Sequence, residues 1–406
     1  MPDTADPARS REGLAVDLGL YALSAIFALI TALTATLPPH RPWGWLASAG
    51  YALATLAVLA QLATRAAGRM ALTVVTWGTT ALLPLVVEAA QRAAGRTDRA
   101  QEEVVVVEHG GDRLLHTGTP YLSHDAIAAL PADERLLGYL PYQPGMALFG
   151  LPRAVFGVGW WTDARVWFAV ATGLVLALAL RQLPARPRTV RALQVATVLP
   201  VCALTLAVGG DDLPVLALCL LALGYAGRGR YGAAGVAVGL AGVLKLFAWP
   251  VALVLLFAAR DRRRYALGAF GLPVLALVPA FLVDPDAAVE NVIRFPLGRG
   301  LAHSTAASPF PGHLIADGLP GGPAIAAALL VAAGVAIGVW LIRRPPESAR
   351  AVAIVCAVGL LTATLLMPAT RFGYLLYPAA YAVWATALPT AVAVRTARPR
   401  SAMPSG

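Results

Sequence analysis

Lysine is almost absent from this chain. One residue in 406, Lys245, is a lysine, and every other strong base is arginine. Charged residues of any kind are scarce at 13%, about half the share of a soluble domain, while 58% of the chain is hydrophobic. That balance excludes an ordinary soluble enzyme. There are only three cysteines, Cys202, Cys219 and Cys356. All three fall in apolar runs without paired spacing, which excludes a disulfide framework and a cysteine-based zinc site. The net charge of +10 comes from arginines clustered in short loops, the pattern that orients a membrane protein, so no nucleic-acid partner is expected. The arginine bias also points to a GC-rich bacterial genome.

What the chain has in abundance is apolar runs of membrane-spanning length. They predict an all-α polytopic membrane protein with about 10–12 transmembrane helices and a long outer loop after the third span. Spans are expected at about 16–37, 45–64, 70–90, 164–181, 190–208, 213–227, 265–283, 322–342, 351–367 and 372–390. Residues 1–15 and 391–406 read as cytoplasmic tails flanking a single membrane domain. The first span is expected to be retained, because no signal-peptide cleavage pattern follows it. Arg9, Arg11, Arg65 and Arg69 place the N-terminus inside, and the arginines after residue 390 place the C-terminus there too. Two polar stretches, about 91–142 and 284–321, are then outer loops. Residues 145–158, short and broken by Pro152 and Arg153, are expected to form an interfacial or re-entrant helix.

Lys245 lies within Gly239-Leu-Ala-Gly-Val-Leu-Lys-Leu-Phe-Ala-Trp-Pro250, the one charge in the middle of a long apolar run. Basic clusters close that run on both sides, Arg228 and Arg230 before it and Arg260 to Arg264 after it. A single crossing would put one cluster on the wrong side, so a hairpin is expected. Two arms of about fourteen residues would each reach roughly 21 Å and put the turn near Lys245 in the outer half of the bilayer. A buried ammonium there is costly unless partnered. It can also be explained by snorkelling to the headgroups. Asp211-Asp212, at an outer helix end, is a possible salt-bridge partner, a part of an acceptor site or a simple turn.

All six histidines and most carboxylates map to outer loops without the close spacing of a metal site, so no cofactor is expected and a need for a divalent metal is left open. The first outer loop has more texture. Leu114-Leu-His-Thr-Gly-Thr-Pro-Tyr121 is followed by Tyr139-Leu-Pro-Tyr-Gln-Pro144, and later come Gly242–Pro250, Ser308-Pro-Phe-Pro-Gly-His313 and Met367-Pro-Ala-Thr-Arg-Phe-Gly-Tyr-Leu-Leu-Tyr-Pro378. In order and shared face, these pieces resemble glycosyltransferase family 87 of the GT-C membrane glycosyltransferases, over about residues 100–380. No single piece is specific.

The resemblance implies a hexosyltransferase of the cell envelope. It would move a sugar, mannose in that family, from a polyprenyl-phosphate donor to a glycan or lipid acceptor at the outer face of the plasma membrane. Its acidic residue is usually an aspartate after the first span, whereas this chain offers glutamates after the third. An odd number of spans still delivers them outside. Inverting transfer needs a carboxylate to deprotonate the acceptor hydroxyl and cations to stabilise the departing phosphate. Glu103 is the leading base, with Glu102 and Glu108 as rivals, and each also reads as a surface carboxylate. Lys245 and Arg371 are the phosphate partners. Tyr121, Tyr142 and Tyr374 could stack on sugar or belong to an aromatic belt, and Asp211 and Asp212 complete the candidate substrate site. Two other classes fit the same spans: a transporter or lipid flippase with Lys245 as its coupling or substrate-binding charge, and an inactive scaffold.

Overall fold

The computed structural model describes residues 7–64, 68–185 and 187–389. Arg65, Arg186 and the C-terminal tail lie outside the described residues, as do residues 1–6 of the N-terminal tail. The described residues are helical, with one isolated parallel bridge, Ala307 to Thr370.

Six helices are long and apolar enough to cross a bilayer alone: α1 (Pro7–Thr34), α2 (His40–Thr64), α3 (Arg69–Ala93), α10 (Arg262–Val283), α11 (Gly322–Arg343) and α12 (Ala349–Leu366). A seventh span, α6, is bent by 43° between Pro187–Thr197 and Pro200–Val208. Pro200 cannot donate to the helix, and it forces Leu199 into an extended conformation (φ −60°, ψ 132°). Cys202 Sγ bonds the Val195 carbonyl at this break, 3.2 Å away. The remaining apolar helices are shorter: α5 (Ala164–Leu180), α7 (Asp212–Gly227), α8 (Tyr231–Leu244), α9 (Ala248–Ala258) and α13 (Leu376–Ala387). Large apolar side chains face outward, among them Leu23, Leu267, Leu282 and Ile342, while polar side chains such as Thr73, Thr80 and Gln194 lie inside. This is a multi-pass membrane protein.

The hairpin at Lys245 is present. Gly235 of α8 packs on Tyr265 of α10, Gly239 on Gly268 and Gly242 on Pro273, so both helices run in the same direction. The intervening α9 must therefore return. A Cβ at Gly235 or Gly239 would meet backbone oxygens of α10 at 2.3 and 2.0 Å, so only glycine permits this approach. Lys245 ends α8 in an extended conformation (φ −154°, ψ 145°).

Two expectations need correction. The polar stretch 91–142 is not merely loop, since Glu102–Thr117 forms a sixteen-residue helix, α4, capped by left-handed Gly118. Residues 144–156 do not simply lie on a surface. Pro144–Gly150 is a largely buried 3-10 turn with Leu148 facing out, and the following Leu151–Phe156 turn exposes Val155 and Phe156. Gly111 and Gly150 let this turn press against α4, where a Cβ on either would sit within 2.4 Å of backbone.

Lys245 is also not the one charge buried among the spans. Asp17 of α1 is buried at the opposite end of the bundle, bonded by Arg69 (2.5 Å) and Arg191 (2.9 Å). Glu88 of α3 lies 3.5 Å from Arg165, and both are fully buried. The sequence hides these charges because each sits near the end of an apolar run, where a snorkelling or loop residue looks the same.

Candidate active site

Asp211 and Asp212 follow the turn at Gly209-Gly210, where Gly210 adopts φ +91°, and start α7. A helix N-terminus favours negative charge. The extended break at Lys245 aims the ammonium at both carboxylates, with Nζ 2.7 Å from Asp211 Oδ2 and 2.6 Å from Asp212 Oδ1. Tyr377 donates its hydroxyl to the same Asp212 oxygen at 2.7 Å. The aromatic rings of Tyr142, Tyr374 and Phe247 lie 5.1, 5.6 and 5.8 Å from Nζ, close enough for cation–π attraction. All three charges are nearly inaccessible, 7% exposed for Lys245, 2% for Asp211 and 5% for Asp212. Snorkelling therefore does not describe this lysine.

Glu103, on the first turn of α4, pairs through Oε1 with Arg371 Nη1. Its other oxygen, Oε2, is buried with no hydrogen-bond partner. Arg371 precedes the 3-10 turn Phe372–Leu375 and donates through Nη2 to Thr305 Oγ1 at 3.0 Å. Thr305 in turn donates to Glu102 at 3.3 Å. The parallel bridge and the Ser308–Thr370 and Thr370–Ala306 backbone bonds hold the second long loop against Arg371. Burial pushes the Glu103 carboxyl above the usual range, and the nearby Asp211 carboxylate adds to the rise that Arg371 opposes.

Of the candidates read from the sequence, Glu103, Arg371, Lys245, Asp211, Asp212, Tyr142 and Tyr374 meet at this one end of the bundle. Glu102 stands on the exposed rim. Tyr121 is buried behind the site and donates to the Tyr142 carbonyl at 2.8 Å, so its hydroxyl supports Tyr142. Glu108 is elsewhere. Arg92 grips both its oxygens at 2.7 and 2.6 Å, Arg153 lies 3.2 Å away, and the Ala164 N–H donates at 3.2 Å. Asp163 and buried Arg165 extend that network toward α5. Tyr377, Phe247 and Thr305 were not singled out by sequence, although Phe247 and Tyr377 lie within the quoted motifs. No group of three metal-ligating side chains occurs among the described residues.

No curated protein matches the chain. Two solved structures of ArnT from Cupriavidus metallidurans are similar, one bound to undecaprenyl phosphate and one in the apo state. They share 17% and 18% identity, each with a TM-score of 0.46 over 77% of this chain. The match spans 59% of the ArnT chain, a likeness too distant to carry residue roles. The model of glycosyltransferase family 87 matches residues 139–368, which run from Tyr139 beside the site, through the Lys245 hairpin, to Pro368 just ahead of Arg371. With more than half of its length in that match, the chain belongs to glycosyltransferase family 87.

Proposed function

We propose that this enzyme transfers a hexose, mannose by its family resemblance, from a polyprenyl-phosphate donor to a hydroxyl of a glycan or lipid acceptor. In this reading both termini are cytoplasmic and the reaction occurs at the outer face of a bacterial plasma membrane. The observation that carries it is the divided carboxylate of Glu103. Oε1 is held by Arg371, while Oε2 is buried and unpartnered beside a cluster of cations and tyrosines. A base needs such a free lone pair within reach of its proton. Glu108, with both oxygens occupied, lacks one.

The acceptor oxygen attacks the anomeric carbon as Glu103 Oε2 takes its proton. The bond from that carbon to the phosphate oxygen breaks, and its electron pair leaves with the lipid phosphate, inverting the anomeric centre. Arg371 is the principal cation for the developing charge, because two of its five N–H donors are engaged by Glu103 and Thr305 and the rest are available. Lys245 has a single N–H left after Asp211 and Asp212, so it contributes as a second, weaker phosphate partner while holding the two aspartates. Tyr142 and Tyr374 offer faces for the sugar.

The test is transfer from labelled polyprenyl-phosphate mannose by the purified protein in proteoliposomes supplied with lipid and glycan acceptors. Glu103→Gln should lower kcat by about 10²–10⁴-fold, the usual contribution of a general base. Full transfer by that variant would overturn the assignment of the base. No consumption of any polyprenyl-phosphate sugar by the wild type would overturn the donor class.

A further inference from the structure

The two long loops are joined by a polar clasp, centred on two fully buried side chains, that none of the proposed chemistry uses. After the short helix Pro285–Val289, the chain forms a wide π-helical turn, Glu290–Arg294, closed by the Phe295 N–H to the Glu290 carbonyl at 2.9 Å. Such turns cost regularity and tend to persist where they aim side chains. Here the turn aims Glu290 and Asn291 into the first loop, and both are fully buried. Glu290 accepts from the Tyr139 hydroxyl at 2.7 Å and pairs with Arg294 at 3.2 Å and His124 at 3.1 Å. Burial opposes its ionisation, but these partners outweigh it and hold the carboxyl below the usual range.

Asn291 does something more pointed. Its Oδ1 accepts from the Leu140 N–H at 2.8 Å, and its Nδ2 donates to the Leu122 carbonyl at 2.8 Å and to Ala287 at 2.9 Å. Leu122 and Leu140 are neighbours of the two tyrosines that pair across the loop, Tyr121 donating to the Tyr142 carbonyl. One amide therefore ties both segments that carry that pair, and Tyr142 reaches from it to the Lys245 ammonium. We infer that Asn291 is a positioning residue, setting Tyr142 beside Lys245 by clamping the Leu122 and Leu140 backbones together. Its consequence for transfer rests on the function proposed above, but the clamp itself does not.

The experiment uses the full-length protein in detergent and two readouts. Nitration by tetranitromethane, mapped by peptide mass spectrometry, reports the environment of Tyr142 without any activity. Asn291→Ala should raise the Tyr142 nitration rate by at least about tenfold, the factor that corresponds to just one of the three buried hydrogen bonds it loses. Tyr51 and Tyr265, buried among the spans, should stay unmodified. In the transfer assay, Asn291→Ala should lower kcat/KM by a similar factor in wild type and add nothing in a Tyr142→Ala background, because a residue acting through Tyr142 has no further effect once that ring is gone. Asn291→Ser, a milder change, takes the same measurements if the alanine variant does not fold. Unchanged Tyr142 nitration in a folded variant overturns the inference, and so do losses that multiply in the double variant. A wild type that transfers no sugar, alongside raised Tyr142 nitration in Asn291→Ala, counts against the proposed function and leaves the clamp standing.

Discussion

Replacing Lys245 by methionine would remove an ammonium bonded at 2.6 and 2.7 Å to two aspartates that are almost wholly inaccessible. Methionine matches the stem in length, so the change is one of charge. Breaking a buried pair by deleting one partner costs about 3–5 kcal/mol, mostly the penalty of a buried charge left uncompensated. Here two like charges are stranded together, which places the cost toward the upper end. With an unfolding entropy of about 2.1 cal/mol/K per residue, each degree corresponds to roughly 0.85 kcal/mol for this chain, so Tm should fall by about 4–6 °C. The triple variant Lys245→Met, Asp211→Asn, Asp212→Asn removes all three charges while leaving amides that can still bond Tyr377. It should recover most of the lost Tm without restoring the transfer rate lost with the ammonium. Both variants are read by tryptophan-fluorescence melting in detergent, with transfer measured on the same preparations. An unchanged Tm in Lys245→Met, or no recovery in the triple variant, would refute the claim that these aspartates need the lysine to stay buried.

Two other outcomes follow from the same geometry. Because Glu103 must be ionised to act and its carboxyl is raised by burial, activity should fall as pH drops through a value above the ordinary carboxylate range. Arg371 opposes that rise, so Arg371→Gln should move the acid limb of the kcat/KM profile to higher pH, and a limb that moves down would be inconsistent with the pairing. Glu108→Gln should behave oppositely to Glu103→Gln. It should lower thermal stability by about 3 kcal/mol, by leaving Arg153 unpaired and Arg92 with Asp163 alone, and reduce transfer far less than the Glu103 change, as paired melting and rate measurements would show.

Much of the architecture is written into the chain locally. Most of the long apolar runs became helices at nearly their expected limits, as with 164–181 against Ala164–Leu180 and 213–227 against Asp212–Gly227, while 190–208 is broken at Pro200. Length and hydropathy suffice, because a backbone in hydrocarbon must satisfy its own hydrogen bonds. The hairpin at Lys245 was equally legible, since arginine clusters on both sides of one run demand that the chain turn back. The order of the loop motifs carries the resemblance to the family.

The partners were not legible. Lys245 lies 34 residues from Asp211, and Glu103 lies 268 residues from Arg371. No local periodicity encodes pairings that only helix packing creates. The choice among three glutamates shows the limit most clearly. At about 100° per residue, Glu102, Glu103 and Glu108 leave α4 in three different directions. The sequence puts all three in one polar stretch, but only the packing of the helix formed there against the bundle gives Glu108 to Arg92 and leaves Glu103 with one oxygen free.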